Sequence, residues 1–216
     1  MNAIFYLIKK EATIEWRQKY TLGGIILYVL STVFIVYLSF IQVGPKAWNT
    51  LFWIIMLFIS VNAITKSFNQ ENGDRILYYY TLASPTAIIF SKVLYNIVLL
   101  LFLSVLSFSI FALVVGNPVK NMGEFSVALV LSSVGFSLAF TFISAIAAKA
   151  SNSSTLMAIL AFPVIIPILM TLLKLSANAL GLIQDTGVGK DILILLAIDL
   201  ILLALTGILF PYLWRD

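Results

Sequence analysis

Six stretches of this sequence are long, apolar and nearly free of charge: residues 21–43, 47–65, 93–116, 125–148, 155–173 and 192–214. Only the last holds a Lys, Arg, Asp or Glu, Asp199. A helix needs about 20 apolar residues to cross the hydrocarbon core of a bilayer, because each residue rises about 1.5 Å. A peptide group facing lipid has no water to bond to, so such stretches must satisfy their backbone internally. The runs Ile25 to Leu30, Ile97 to Leu103 and Ile192 to Ile198 are apolar on all sides. They lack the period-two alternation of a lipid-facing barrel, so helices are expected. The expected fold is an all-α integral membrane protein of six transmembrane helices in a single domain spanning residues 1–216.

Composition narrows what such a bundle can do. Of 216 residues, 62% are hydrophobic and 10% charged, which leaves little chain for a soluble domain. There is no cysteine and no histidine. That excludes disulfides, thiolate nucleophiles, c-type haem attachment and imidazole ligands or bases. The opening residues are not expected to be a cleaved signal peptide. Lys9, Lys10, Glu11, Glu15, Arg17 and Lys19 precede the first apolar run, and no small-x-small cleavage site follows it.

Basic residues resist translocation, so their distribution predicts orientation. Nine of the 13 Lys and Arg fall on the side of the termini and of the second and fourth loops. Lys46, Lys120, Lys174 and Lys190 fall on the other. Both termini are therefore expected to be cytoplasmic.

Residues 66–92 form the longest predicted cytoplasmic connection and the candidate docking surface. Phe68, Glu71, Gly73, Asp74, Arg75 and Leu77 are its candidate contacts, within a mixture of charged and apolar side chains. Asn72-Gly73 is a turn signal, and Ser84-Pro85 reads as an N-cap followed by proline in the first helical turn. Tyr78, Tyr79 and Tyr80 suit either a headgroup-level belt or anchors for a protein partner. Residues 3–20 carry Phe5, Ile8, Ala12 and Trp16 at helical spacing, the pattern of an interfacial helix.

Pro163 and Pro167 fall four apart in the fifth span, where each removes a helical hydrogen bond. A kink or break is expected there, serving either packing or a hinge between two states. Asp199 needs a cavity or a partner if ionised. A pair with Lys174 and a neutral, protonated Asp199 both stay open. A structural role is expected rather than a proton path, because no second intramembrane acid could receive the proton. The fourth span carries small residues four apart, Ser133 and Ser137, Gly135 and Ala139, Ser144 and Ala148, which permits close helix approach.

Other chemistry is missing. Thr186 to Asp191 glances toward a phosphate-binding loop, but residue 184 is glutamine and Asp191 stands where Ser or Thr is needed. No catalytic constellation and no channel filter is legible.

The stretch Phe68-Asn-Gln-Glu-Asn-Gly73-Asp-Arg-Ile-Leu77, continued by Thr81-Leu-Ala-Ser-Pro85 and Ser91-Lys92-Val93, resembles the first cytoplasmic loop of the CcmB family, the haem-exporter permeases of cytochrome c maturation. Phe162-Pro163-Val-Ile-Ile-Pro167-Ile-Leu resembles that family's fifth span. The resemblance implies an ABC-2-type permease bundle in the bacterial cytoplasmic membrane, non-catalytic itself. It also implies a homodimer bound to a soluble ATPase like CcmA, with CcmC-, CcmD- and CcmE-like partners. ATP would be bound by the partner, and the surroundings would be lipid and not nucleic acid. The chain alone is expected to bind no cofactor. Haem would be handled by the complex, and without histidine this chain could offer it only Met or Tyr ligation or an apolar path. The competing readings are an ABC-2 permease exporting a lipid, drug or polymer, and a membrane scaffold that transports nothing.

Overall fold

The computed structural model describes residues 2–17, 19–40, 42–69, 84–147, 153–183 and 187–213. Among them are seven helices, here α1 (Asn2–Arg17), α2 (Lys19–Ser39), α3 (Pro45–Asn69), α4 (Pro85–Val115), α5 (Met122–Ala147), α6 (Ser153–Ala179) and α7 (Val188–Leu213). Five stretches are long and apolar enough to cross a membrane: Pro45–Ile64, Pro85–Val115, Met122–Ala147, Thr155–Ala179 and Val188–Tyr212. The apolar part of α2, Gly23–Ser39, is shorter. Outward-facing side chains are large and apolar, among them Phe34, Val98, Phe102, Phe162, Leu193 and Leu200. A surface of that kind belongs in lipid, since soluble proteins do not leave so much apolar area bare. The chain is a multi-pass membrane protein.

Helix α5 is the hub. It packs against α3, α4, α6 and α7, and most of its residues are buried, including Ser132, Ser133, Gly135, Ser137, Ala139 and Ser144. Small side chains let the neighbouring backbones come close, and their hydroxyls find acceptors inside the protein. Ser137 Oγ donates to the Val93 carbonyl of α4 at 3.1 Å, and Asn96 of α4 donates to Thr141 Oγ1 at 2.9 Å. The small-residue rows are thus a packing surface within one bundle; Ala148 lies outside the described residues.

Helix α4 starts at Pro85, eight residues before the predicted span at 93. Ser84 is its N-cap, in extended conformation with φ −68° and ψ 146°, and accepts from the Ala87 amide as the Ser-Pro pair predicts. Residues 85–92 therefore belong to a helix and not to a loop, and α3 likewise carries residues 66–69. Both flanking helices run past the apolar stretches that define them in sequence, α4 starting at the Ser84-Pro85 pair as expected and α3 reaching Asn69.

Candidate functional site

The candidate docking segment is bracketed by the end of α3 and the start of α4. The backbone of Phe68 lies in the last turn of α3. Glu71, Gly73, Asp74, Arg75 and Leu77 lie outside the described residues.

At the start of α4 the structure brings together two charges that sequence reasoning left apart. Lys92, read above for topology and within the family-like stretch Ser91-Lys92-Val93, is 1% exposed. Its Nζ is 3.2 Å from Glu11 Oε1 on α1, and Lys10 approaches the same oxygen at 3.1 Å. A buried lysine needs such a partner, because an isolated ammonium in a dry interior is strongly disfavoured. A signal for it existed: Ile88, Lys92 and Asn96 recur every four residues, so once Ser84-Pro85 starts a helix they share one face. All three are buried.

The face of α1 differs from the predicted one. Phe5 and Ala12 are exposed, whereas Ile4, Leu7, Ile8 and Glu11 are half-buried where α1 packs on α4. The Glu11–Lys92 pair sets this rotation, turning Phe5 and Tyr6 outward. Of the predicted stripe, Ile8 alone is half-buried, and nothing is described of the Trp16 side chain.

Pro163 and Pro167 both sit inside α6, which continues through them without a break. Both are exposed on its outer side, while Ile165, Ile168 and Leu172 face the core. Lacking amides, they leave the carbonyls of Ile159 and Pro163 without helical donors. The helix survives because its inner face is fastened by packing.

Lys174 does not meet Asp199. It pairs with Asp191 in the first turn of α7 at 3.1 Å, where a carboxylate is also favoured by the helix dipole. Asp199 is two turns further along α7, 5% exposed, with neither oxygen hydrogen-bonded among the described residues. Of the two options open from sequence, the Lys174 pair is not formed.

Far from α1, the opposite end is knitted by rings and amides. Trp48 stacks on Phe52 with centroids 5.5 Å apart and touches Phe108, Phe111 and Phe125. Its Nε1 donates to the Gly116 carbonyl at 2.8 Å. Next to it Trp53 Nε1 donates to Ser176 Oγ at 2.8 Å, Ser176 donates to Asn49 Oδ1 at 2.7 Å, and Asn49 donates to the Leu173 carbonyl at 3.1 Å. Helix α6 ends there on Gly181, at φ +71°, with Leu182 N bonded to Ala177 O and Gly181 N to Asn178 O. That is a Schellman cap, which glycine adopts without strain. No local signal announces this network, whose members are separated by more than 100 positions.

Among the described residues no group of three or more His, Cys, Asp or Glu gathers to hold a metal. A comparison with curated proteins finds no match. The sequence model of the CcmB protein family matches residues 2–212. A family match of that extent takes in all the described residues but Leu213, so the chain belongs to the CcmB family, the haem-exporter permease subunits of ABC type in cytochrome c biogenesis.

Proposed function

We propose that this chain couples ATP hydrolysis in a partner ATPase to haem delivery, by promoting release of the haem-loaded chaperone from its loading complex. The family match over residues 2–212 carries the reading. In the proposed arrangement α2 makes the sixth crossing, both termini are cytoplasmic, and α1 lies in the inner interface of the bacterial cytoplasmic membrane. The ATPase docks on residues 66–92 through Phe68, Glu71, Gly73, Asp74, Arg75 and Leu77. The partners are two copies of a CcmA-like ATPase on a homodimer of this chain, with CcmC-, CcmD- and CcmE-like proteins.

Geometry supports a mechanical role for the α1 end. Movement of the docked segment would pull on α4 at Pro85, and α4 carries Lys92 two turns further on. The pair with Glu11 would make α1 follow. The rows of polar contacts between α4 and α5 would pass the displacement into the hub. On the α6 side, Pro163 and Pro167 would act as the hinge, since bending there breaks no hydrogen bond that two amides would otherwise hold. Haem is a substrate of the complex in this reading. This chain holds no histidine to ligate it, so coupling is favoured over carriage.

The test is charge reversal at Glu71, Asp74 and Arg75, followed by co-purification in mild detergent and measurement of ATPase activity and c-type cytochrome yield. Loss of ATPase binding with an intact bundle is expected. Unchanged binding and unchanged yield would remove the docking assignment, and an active preparation of this chain without any ATPase would remove the reading itself.

A further inference from the structure

Asp199 stands apart from the other charged groups of the bundle. It sits in the middle of α7 at 5% exposure, with both carboxyl oxygens lacking a hydrogen-bond partner among the described residues. A Cβ built on Gly135 of α5 would stand 2.8 Å from Asp199 Oδ1 and 3.5 Å from Ile168 Cγ2 of α6. The missing side chain at 135 is therefore the space that the carboxyl fills.

Among the described residues no cation bonds to it. The titratable groups on the described parts of the helices packed here are Glu124 on α5, Lys174 on α6, Lys190, Asp191 and Tyr212 on α7, and Lys92 and Tyr95 on α4. Lys174 is 3.1 Å from Asp191, Asn178 donates to Glu124 at 2.8 Å, and Lys92 is 3.2 Å from Glu11. Lys174 lies six residues beyond Ile168, about 9 Å along the helix axis. None of these groups hydrogen-bonds to Asp199. An ionised carboxylate without water, cation or donor is strongly disfavoured in such surroundings, and an intramembrane acid is by default a functional candidate.

We propose that Asp199 is a proton-binding site inside the membrane, with Gly135 as its seat. The carboxyl keeps its O–H while α7 lies on α5. Its proton passes to water only when the two helices part and water reaches the carboxyl, leaving the carboxylate behind. A sodium ion fits less well, because it needs several oxygen ligands and the only neighbour that shares the Gly135 seat with the carboxyl among the described residues is an Ile168 methyl. The site is a terminus for one proton and not a relay, since the other acids of the described spans, Glu124 and Asp191, stand in the first turns of α5 and α7 and bond to Asn178 and Lys174. It rests on the packing of α5, α6 and α7 and is independent of how the ATPase docks.

Infrared spectroscopy of the full complex in lipid vesicles tests it. The absorption of a protonated carboxylic acid at neutral pH is expected in the native protein, lost in Asp199→Asn and unchanged by sodium. Its absence from the native protein overturns the proposal, as does its removal by sodium at constant pH. Asparagine matches the neutral acid in shape and should assemble. Should it not, a hydrophobic carbodiimide, which attacks protonated acids, should modify Asp199 of the native complex at neutral pH, and failure to do so overturns the proposal. The seat is tested separately: Gly135→Ala should cut assembled complex several-fold, and Asp199→Ala in the same chain should restore it. A tolerated Gly135→Ala overturns the assignment of Gly135.

Discussion

At the Trp48 end, α3, α4, α5 and α6 are joined by stacked rings and by a hydrogen-bonded set of Asn49, Trp53 and Ser176. At the α1 end, α4, α5 and α7 share a small apolar cluster of Ile89, Ala145 and Phe210, and α1 is fastened to α4 by a charge pair. Rings and amides packed in a dry core hold one geometry, because any displacement opens a void or strands a donor. A charge pair tolerates a change of distance that packed rings do not, and its Glu11 member is only half-buried. In the proposed reading one end is a fixed frame and the other a releasable joint, at which the partner ATPase would pull.

Four substitutions can break or sharpen that contrast. Trp48→Ala removes the centre of the ring cluster together with its bond to Gly116. A loss of about 3–5 kcal/mol is expected for emptying such a site, visible as a sharply lower unfolding midpoint in detergent. If the protein barely notices, the frame is not where the stability resides. Glu11→Gln comes next: weakening a charge-assisted bond should cost about 1.5–3 kcal/mol. Here the telling signal is functional, with ATPase activity persisting while cytochrome yield falls. An unchanged yield would sever the link drawn from α4 to α1.

Much of the frame was invisible in the sequence, although the helices that build it were not. Apolar runs and the Ser84-Pro85 pair are local patterns, set by lipid and by backbone chemistry, so they survive translation into structure. Partner choice is not local. Lys174 could meet Asp191 or Asp199, and only the depth of each along α7 decides it. Glu11 and Lys92 lie 81 positions apart, and the face of α1 could not be assigned until its neighbour was known. Residues 71–77, on which the docking reading leans, gained nothing from the structure because they lie outside the described residues.

A third change, Ser176→Ala, deletes one hydroxyl from the frame and leaves Asn49 and Trp53 each short of a contact. The expected cost is about 1–3 kcal/mol, read in the same unfolding assay with cytochrome yield retained. Lost yield at unchanged stability would make the frame a moving part. The smallest effect on stability belongs to Pro167→Ala, which returns an amide to the Pro163 carbonyl and should shift stability by less than about 1 kcal/mol. Yield should nonetheless drop, since a stiffened α6 resists bending. Full yield would retire the hinge.

The hub has a consequence for how the protein is made. Helix α5 carries serines at 132, 133, 137 and 144 that are buried against neighbours on every side. Two of those neighbours, α6 and α7, emerge from the ribosome after it. For that interval the newborn segment sits in the bilayer with part of its hydroxyl-bearing surface turned to lipid. Assembly can finish only when the last helix arrives, so chains cut short before Val188 should be handed to membrane proteases.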